Sequence, residues 1–141
     1  MNNWFVWALL SAVFAALTAI LAKLGVADIN PNLATAIRTT VILVITWSLA
    51  LATGNRADWT ALTGRAWIFL VASGVMTGLS WLCYFRALKL GEVAKVAPVD
   101  KLSVAMAIIL AVIFLGERLK VQEAVGAALI VLGVVVMVVK F

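Results

Sequence analysis

Histidine is absent from this 141-residue chain, cysteine occurs once and proline twice. Without histidine there is no imidazole general acid or base, no imidazole metal ligand and no histidine pH switch. A lone Cys83 excludes an intrachain disulfide and a thiolate metal cluster. No Asn-x-Ser/Thr acceptor is present, no Ser or Cys stands with a base, and no glycine loop cradles a phosphate. An enzyme is therefore not expected, and no cofactor is implied. Charge is also scarce: 12% of residues are charged, against about a quarter in a soluble domain.

What fills the space is apolar. Hydrophobic residues make up 66% of the chain, with a mean hydropathy of +1.19. A soluble core of this length cannot bury that much apolar side chain, so lipid is the solvent for much of it. The net charge of +5 raises nucleic acid as a partner. The basic residues, however, sit singly at the ends of apolar segments, with no basic cluster carrying aromatics for base stacking. They anchor and orient helices in a bilayer instead. "MNNWFVWALL" has no Lys or Arg before its apolar run, which predicts a retained first helix rather than a cleaved signal peptide.

Five segments are long enough to cross a hydrocarbon layer of ~30 Å at ~1.5 Å per residue. They run over about 4–24, 31–53, 65–90, 93–115 and 121–139. Lys23 and Gly25 close the first, and Pro31 after "DIN" suits the first turn of the second. Residues 54–64 are the longest polar stretch, with a short surface turn expected at "ADWTAL". Alternating strand patterning is absent, which argues against a β-barrel. The fold class is an all-α membrane protein, read as one domain over residues 1–141.

The fourth segment carries an anomaly, "KVAPVDKLSV" at 95–104. Its uninterrupted apolar part, Leu102 to Leu115, gives only about 21 Å of helix and cannot span alone. The helix must include part of the polar run, which puts Pro98, Asp100 and Lys101 in the membrane zone. A proline there loosens the backbone, and such backbone is tolerated where it lines protein or a cavity.

Following the chain back and forth across the bilayer, helices one and three end, and helices two and four begin, on the same side. Arg38 lies about two turns into helix two, so it and Asp100 share a depth. They are expected to pair or to share a polar cavity, with Lys101 and Arg86 close by. Structural pairing or snorkelling is the competing reading for Arg86 and the favoured one for Lys23 and Lys89. Thr35, Arg38, Thr39, Ile42 and Thr46 share a face of helix two, and Ser73, Thr77, Ser80, Trp81 and Tyr84 one of helix three. In helix one, Ser11, Ala15, Thr18 and Ala22 form a small-residue stripe, read as close helix packing. Trp4, Trp7, Trp59 and Trp67 fit an interfacial belt on the side of the N-terminus. Trp81 lies deeper, and either lines a substrate site or fills the bundle.

Gly74 and Gly78 form a GxxxG, while Gly126 and Gly133 lie seven apart on one face of helix five. Both pairs permit close approach, to a neighbouring helix or to a second subunit. The side of the N-terminus carries Arg56, Arg65, Arg118 and Lys120. The other carries Lys23, Arg86, Lys89, Lys95 and Lys140, plus the deeper Arg38 and Lys101. That bias places the N-terminus outside, and it is small enough to admit dual insertion and an antiparallel dimer.

The stretch "YFRALKLGEVAKVAPVDKLSVAMAIILAVIFLGERLKVQEAVGAALIVLGVV" at 84–135 resembles the EamA-like family of the drug/metabolite transporter superfamily. "VAP" opens the fourth helix, "FLGE" ends it, and a glycine-spaced helix follows a Gln. "LTAILAKLGVADINPNLATAIRT" is similar to the family's first hairpin. The resemblance implies one half of a ten-helix inverted-repeat architecture, and so an assembly of two chains, as a homodimer or with a paralogue. It puts Arg38, Trp81, Tyr84, Pro98 and Asp100 near the central cavity, and Glu117 at the turn between helices four and five. The four-helix small multidrug resistance proteins, more distant relatives, carry a proton-coupling Glu in helix one. Ala15 stands at that place here, which argues against their proton/drug exchange.

The expected function is transport of a small polar metabolite or drug-like solute, by a dimer with alternating access, in the inner (cytoplasmic) membrane. Arg38 and Lys101 would hold anionic groups, and Asp100 would hold an ammonium or balance the arginine. Trp81 and Tyr84 would contact the body of the substrate. The alternative is a non-transporting membrane subunit that packs through its glycine faces and stabilises a larger complex.

Overall fold

The computed structural model describes residues 3–54, 60 and 62–139. Arg56, Trp59, Lys140 and most of the turn expected at 57–62 lie outside them. The described residues are helical with no strand, and five stretches are long and apolar enough to cross a membrane. The chain divides into two compact units, Met1–Leu90 and Gly91–Phe141.

The first unit holds α1 (Trp4–Val26), α2 (Pro31–Thr53) and α3 (Gly64–Leu90). The start of α2 is built locally. The Asn30 side chain accepts from the Asn32 N–H at 2.8 Å, and Pro31 occupies the first turn, where its missing N–H costs nothing. At the head of α3 the Thr63 hydroxyl accepts from the Ala66 N–H at 3.3 Å. The helices therefore begin and end within two residues of the expected bounds.

Burial in this unit is confined to one end. Ala19, Ala22 and Val26 of α1, Ala34 and Thr35 of α2, and Phe85 and Leu88 of α3 are its buried residues among those described. All lie where α1 and α3 finish and α2 starts. Small residues at 19, 22 and 34 let the helices approach there. At the opposite end Trp4 and Trp7 are exposed, as befits a lipid-facing belt, and Ser11 and Ala15 are exposed as well. The close packing expected of the α1 stripe is confined to its last members.

Two lysines fasten the packed end. Lys23 Nζ donates to the Leu88 carbonyl at 2.6 Å, and Lys89 Nζ donates to the Ile29 carbonyl at 2.7 Å. Leu88 is in the last turn of α3, where carbonyls lack an intrahelical donor and an ammonium meets the negative end of the helix dipole, whereas the Ile29 carbonyl belongs to the loop between α1 and α2. Both lysines thus tie elements together through backbone carbonyls, where the sequence suggested an ion pair or snorkelling.

In the second unit the fourth span, Val93–Leu115, is not one regular helix. It comprises α4 (Val93–Asp100), α5 (Leu102–Leu110) and a π-helical turn at Ala111–Leu115. The cause lies in the sequence. Pro98 has no N–H for the Ala94 carbonyl. Three residues on, the Lys101 N–H is shared between the Ala97 and Pro98 carbonyls at 3.3 and 3.0 Å, and the helix tightens and resets. At the far end Gly116 adopts φ +68°, a left-handed conformation that glycine takes without a Cβ clash. α6 (Val121–Val138) follows, its first turn closed by the Glu123 carboxylate accepting from the Lys120 N–H at 2.9 Å.

Candidate functional site

Arg38 projects from α2 one helical turn beyond the buried Ala34 and Thr35, and α3 supplies the surface it lies against. Its guanidinium carbon is 4.4 Å from the centroid of the Trp81 ring and 5.5 Å from that of Phe85. Trp81 and Phe85 are four apart on α3, so both rings face the same way. An arginine in apolar surroundings is expensive unless something meets its charge, and two π faces supply part of that. Their contacts leave the in-plane N–H groups uncommitted. Within the Met1–Leu90 unit, Arg38 has no ion pair or hydrogen bond among the described residues.

Beside this arginine is an open cavity of about 340 Å³, at the small end of sites that take organic ligands (about 300–1,000 Å³). Thr18, Ala22 and Gly25 of α1, Ala34, Ile37 and Arg38 of α2, and Phe85 of α3 line it, with Leu21 and Ile29. Arg38 and Thr18 are the polar residues of an otherwise apolar lining. Trp81 backs the arginine rather than lining the cavity, and Tyr84, half-buried one residue before Phe85, is not among the lining side chains.

The threonines of the proposed polar faces are mostly committed elsewhere. Thr35 donates to the Pro31 carbonyl at 2.9 Å, Thr39 to Thr35 at 2.8 Å, Thr46 to Ile42 at 2.8 Å and Thr77 to Ser73 at 2.9 Å. Each satisfies its hydroxyl on its own helix, the usual arrangement where water is absent. Thr18 has no such bond among the described residues, and it faces the cavity.

Arg86 is exposed and lines a different cavity, of about 380 Å³, with Asp28, Asn30, Pro31 and Lys89 at the loop end of the first unit. Arg65 lies 5.8 Å from the Phe69 ring one turn along α3, an anchoring contact. In the second unit Lys101 Nζ lies 3.4 Å from Asp100 Oδ2 at the junction of α4 and α5, and Lys95 pairs with Glu92 at 3.0 Å. Asp100 thus has its sequence neighbour as a counter-charge. Glu117 lines a cavity of about 440 Å³ with Arg118 and Glu123. A Cβ built on Gly74, Gly78, Gly126 or Gly133 meets nothing within 4 Å among the described residues.

Phe85 was not foreseen. It stands four residues after Trp81, and its spacing could have placed it under Arg38, but a search for polar faces counts a phenylalanine as filling. Thr18 and Ala22, a packing stripe by their sequence, also form a wall of the cavity.

The model of the EamA-like transporter family matches residues 2–139. An uncharacterized transporter in the cobO 3′ region of Sinorhizobium sp. is 53% identical over 138 residues, covering 98% of each chain. Uncharacterized transporter YxxF of Bacillus subtilis (strain 168) is 28% identical over 141 residues, which is 99% of this chain but 44% of the Bacillus protein. No solved structure matches.

Proposed function

Because the chain belongs to the EamA-like transporter family, a family of membrane transporters, we propose that it moves a small organic solute across the inner membrane. It acts as a dimer, by alternating access. The observation that carries this reading is the Arg38 guanidinium, held on Trp81 and Phe85 at the wall of an apolar cavity with its N–H groups uncommitted. A charge kept at membrane depth with no carboxylate beside it among the described residues of its own unit is arranged to meet something that arrives.

In this reading Arg38 receives the charged end of the solute, Trp81 holds the guanidinium in place from behind, and Tyr84, beside Phe85 on α3, comes into contact with the substrate as it passes. Asp100 and Lys101 lie at the break in the fourth span, where irregular backbone lines a path rather than lipid. There they balance charge along the route. A dimer is supported by the relatives: the Sinorhizobium transporter is matched over 98% of its length, while the Bacillus one is matched over 44%, the share that one of two repeats would cover. The second chain is an identical copy in antiparallel orientation or a paralogue, and the faces at Gly74/Gly78 and Gly126/Gly133 have room to meet it.

Counterflow into proteoliposomes tests the reading. Solute exchange should fall at least tenfold in Arg38→Ala and in Asp100→Asn, with dimers retained on cross-linking. Full exchange in both variants removes the site. No exchange of any solute by a folded dimer favours a non-transporting subunit of a larger complex.

A further inference from the structure

We propose that the Arg38 cavity selects a monovalent organic anion, a carboxylate on a compact apolar body, over the zwitterion or the cation of the same body. This rests on the reading of that cavity as the solute site and names the class of solute it takes.

Three observations carry it. The first is the unmet donor set. A guanidinium presents a planar fork of N–H groups that matches a carboxylate in two parallel hydrogen bonds. The cation–π contact with Trp81 at 4.4 Å holds the guanidinium, and no hydrogen bond or ion pair among the described residues engages its fork. The second is Thr18. Its hydroxyl is not folded back onto α1, unlike those of Thr35, Thr39, Thr46 and Thr77 on their own helices, and it lines the same cavity. It adds a single donor. The third is what the lining does not contain. Among its described residues there is no carboxylate, and the described acid of this unit, Asp28, lines the loop-end cavity with Arg86. An ammonium entering beside Leu21, Ile37 and Phe85 would shed its water and gain no counter-charge, whereas a carboxylate would gain one. The open cavity, of about 340 Å³, has room for a compact body.

Three probes sharing one branched aliphatic body separate the charge classes: 4-methylpentanoate, leucine and 3-methylbutylamine. Their binding to the purified full chain in detergent is measured by calorimetry, and each is then run in counterflow. The carboxylate should bind at least tenfold more tightly than leucine, with the amine weakest. Arg38→Gln should abolish the order, Arg38→Lys should restore it in part, and Thr18→Val should weaken the carboxylate several-fold while leaving the amine unchanged. Equal or tighter binding of leucine or the amine to the wild type overturns the inference without any variant, as does an anion preference that survives Arg38→Gln. The wild-type ranking holds even if a variant fails to fold. Anion-selective binding without counterflow sustains the selectivity and sinks transport. Counterflow of the zwitterion or cation in preference to the anion does the reverse.

Discussion

The Arg38 guanidinium and the Trp81 indole are stacked 4.4 Å apart, and the two helices that carry them meet at the packed end of the first unit. A cation over an aromatic face is worth ~0.5–1 kcal/mol when exposed and ~2 kcal/mol or more when desolvated. Arg38 is half-buried, so the contact chiefly fixes where the fork points. Trp81→Phe should therefore preserve most of the apparent affinity for a transported solute. Trp81→Leu should raise KM about tenfold with a smaller change in kcat, since ~1.4 kcal/mol of positioning is a factor of ten. Counterflow over a range of solute concentrations reads the difference; equal KM values for the two variants would remove the indole from the site.

Lys23→Met should destabilise the first unit. The substitution keeps the chain length and deletes the charged donor to the Leu88 carbonyl, a hydrogen bond worth about 1.5–3 kcal/mol. Lys23→Arg should recover much of the loss. Lys89→Met removes a more exposed bond to Ile29 and should cost less. Thermal unfolding in one detergent ranks the three, and a Lys23→Met protein that melts with the wild type contradicts the assignment.

Gly116→Ala should cost about 1–2 kcal/mol, the penalty of a left-handed residue with a Cβ. Gly116→Asn should cost less, because asparagine tolerates that conformation. The space around the residue is open among the described residues, so the effect isolates backbone conformation from packing. Denaturant midpoints in micelles give the comparison.

Pro98→Ala restores an N–H that can reach the Ala94 carbonyl. An interior proline costs a helix about 3 kcal/mol, so the variant should be more stable and its fourth span more regular. Slower amide exchange at Lys101 is the expected signature. Unchanged exchange there would mean that the break has a cause other than the proline.

Gly74→Ala and Gly78→Ala should stabilise an isolated chain by up to about 1 kcal/mol each, from helix propensity alone, because nothing stands in the way of the new methyl groups among the described residues. If that face meets a second chain, the same variants lower the cross-linked dimer fraction while raising the melting temperature. Opposite signs in the two measurements mark the interface; a rise in both moves it elsewhere, to Gly126 and Gly133 first.

Sequence reading recovered the helices because their signals are local. Asn30 and Pro31 open α2, Lys23 closes α1, and an apolar run has to reach across a bilayer whatever its neighbours do. Arg38 and Trp81 are also conspicuous in one dimension, as a charge at depth and a tryptophan away from the belt, and the structure brings the two into contact. Sequence reading missed the partition of hydroxyls. Thr35, Thr39 and Thr46 look like a polar face at helical spacing, and only a rotamer decides that each turns back to its own helix while Thr18 does not. The interruption at Lys101 was half legible: Pro98 promised loosened backbone, but the place where the helix resets depends on how the chain shares its carbonyls three residues later.

The first unit is gripped at one end, where Lys23 and Lys89 hold α1, the following loop and α3 together, and Val26 and Leu88 are fully enclosed. Mechanically that is a pair of tongs with its rivet at the cavity. A helix of ~30 Å that tilts by ~10° about such a rivet carries its free end ~5 Å while its held end barely stirs. Arg38, about two turns or ~10 Å from the rivet, is on the short arm. The same tilt would move it by ~2 Å, less than half the travel of the free end, so a ligand held there would be disturbed less than anything bound between the far ends.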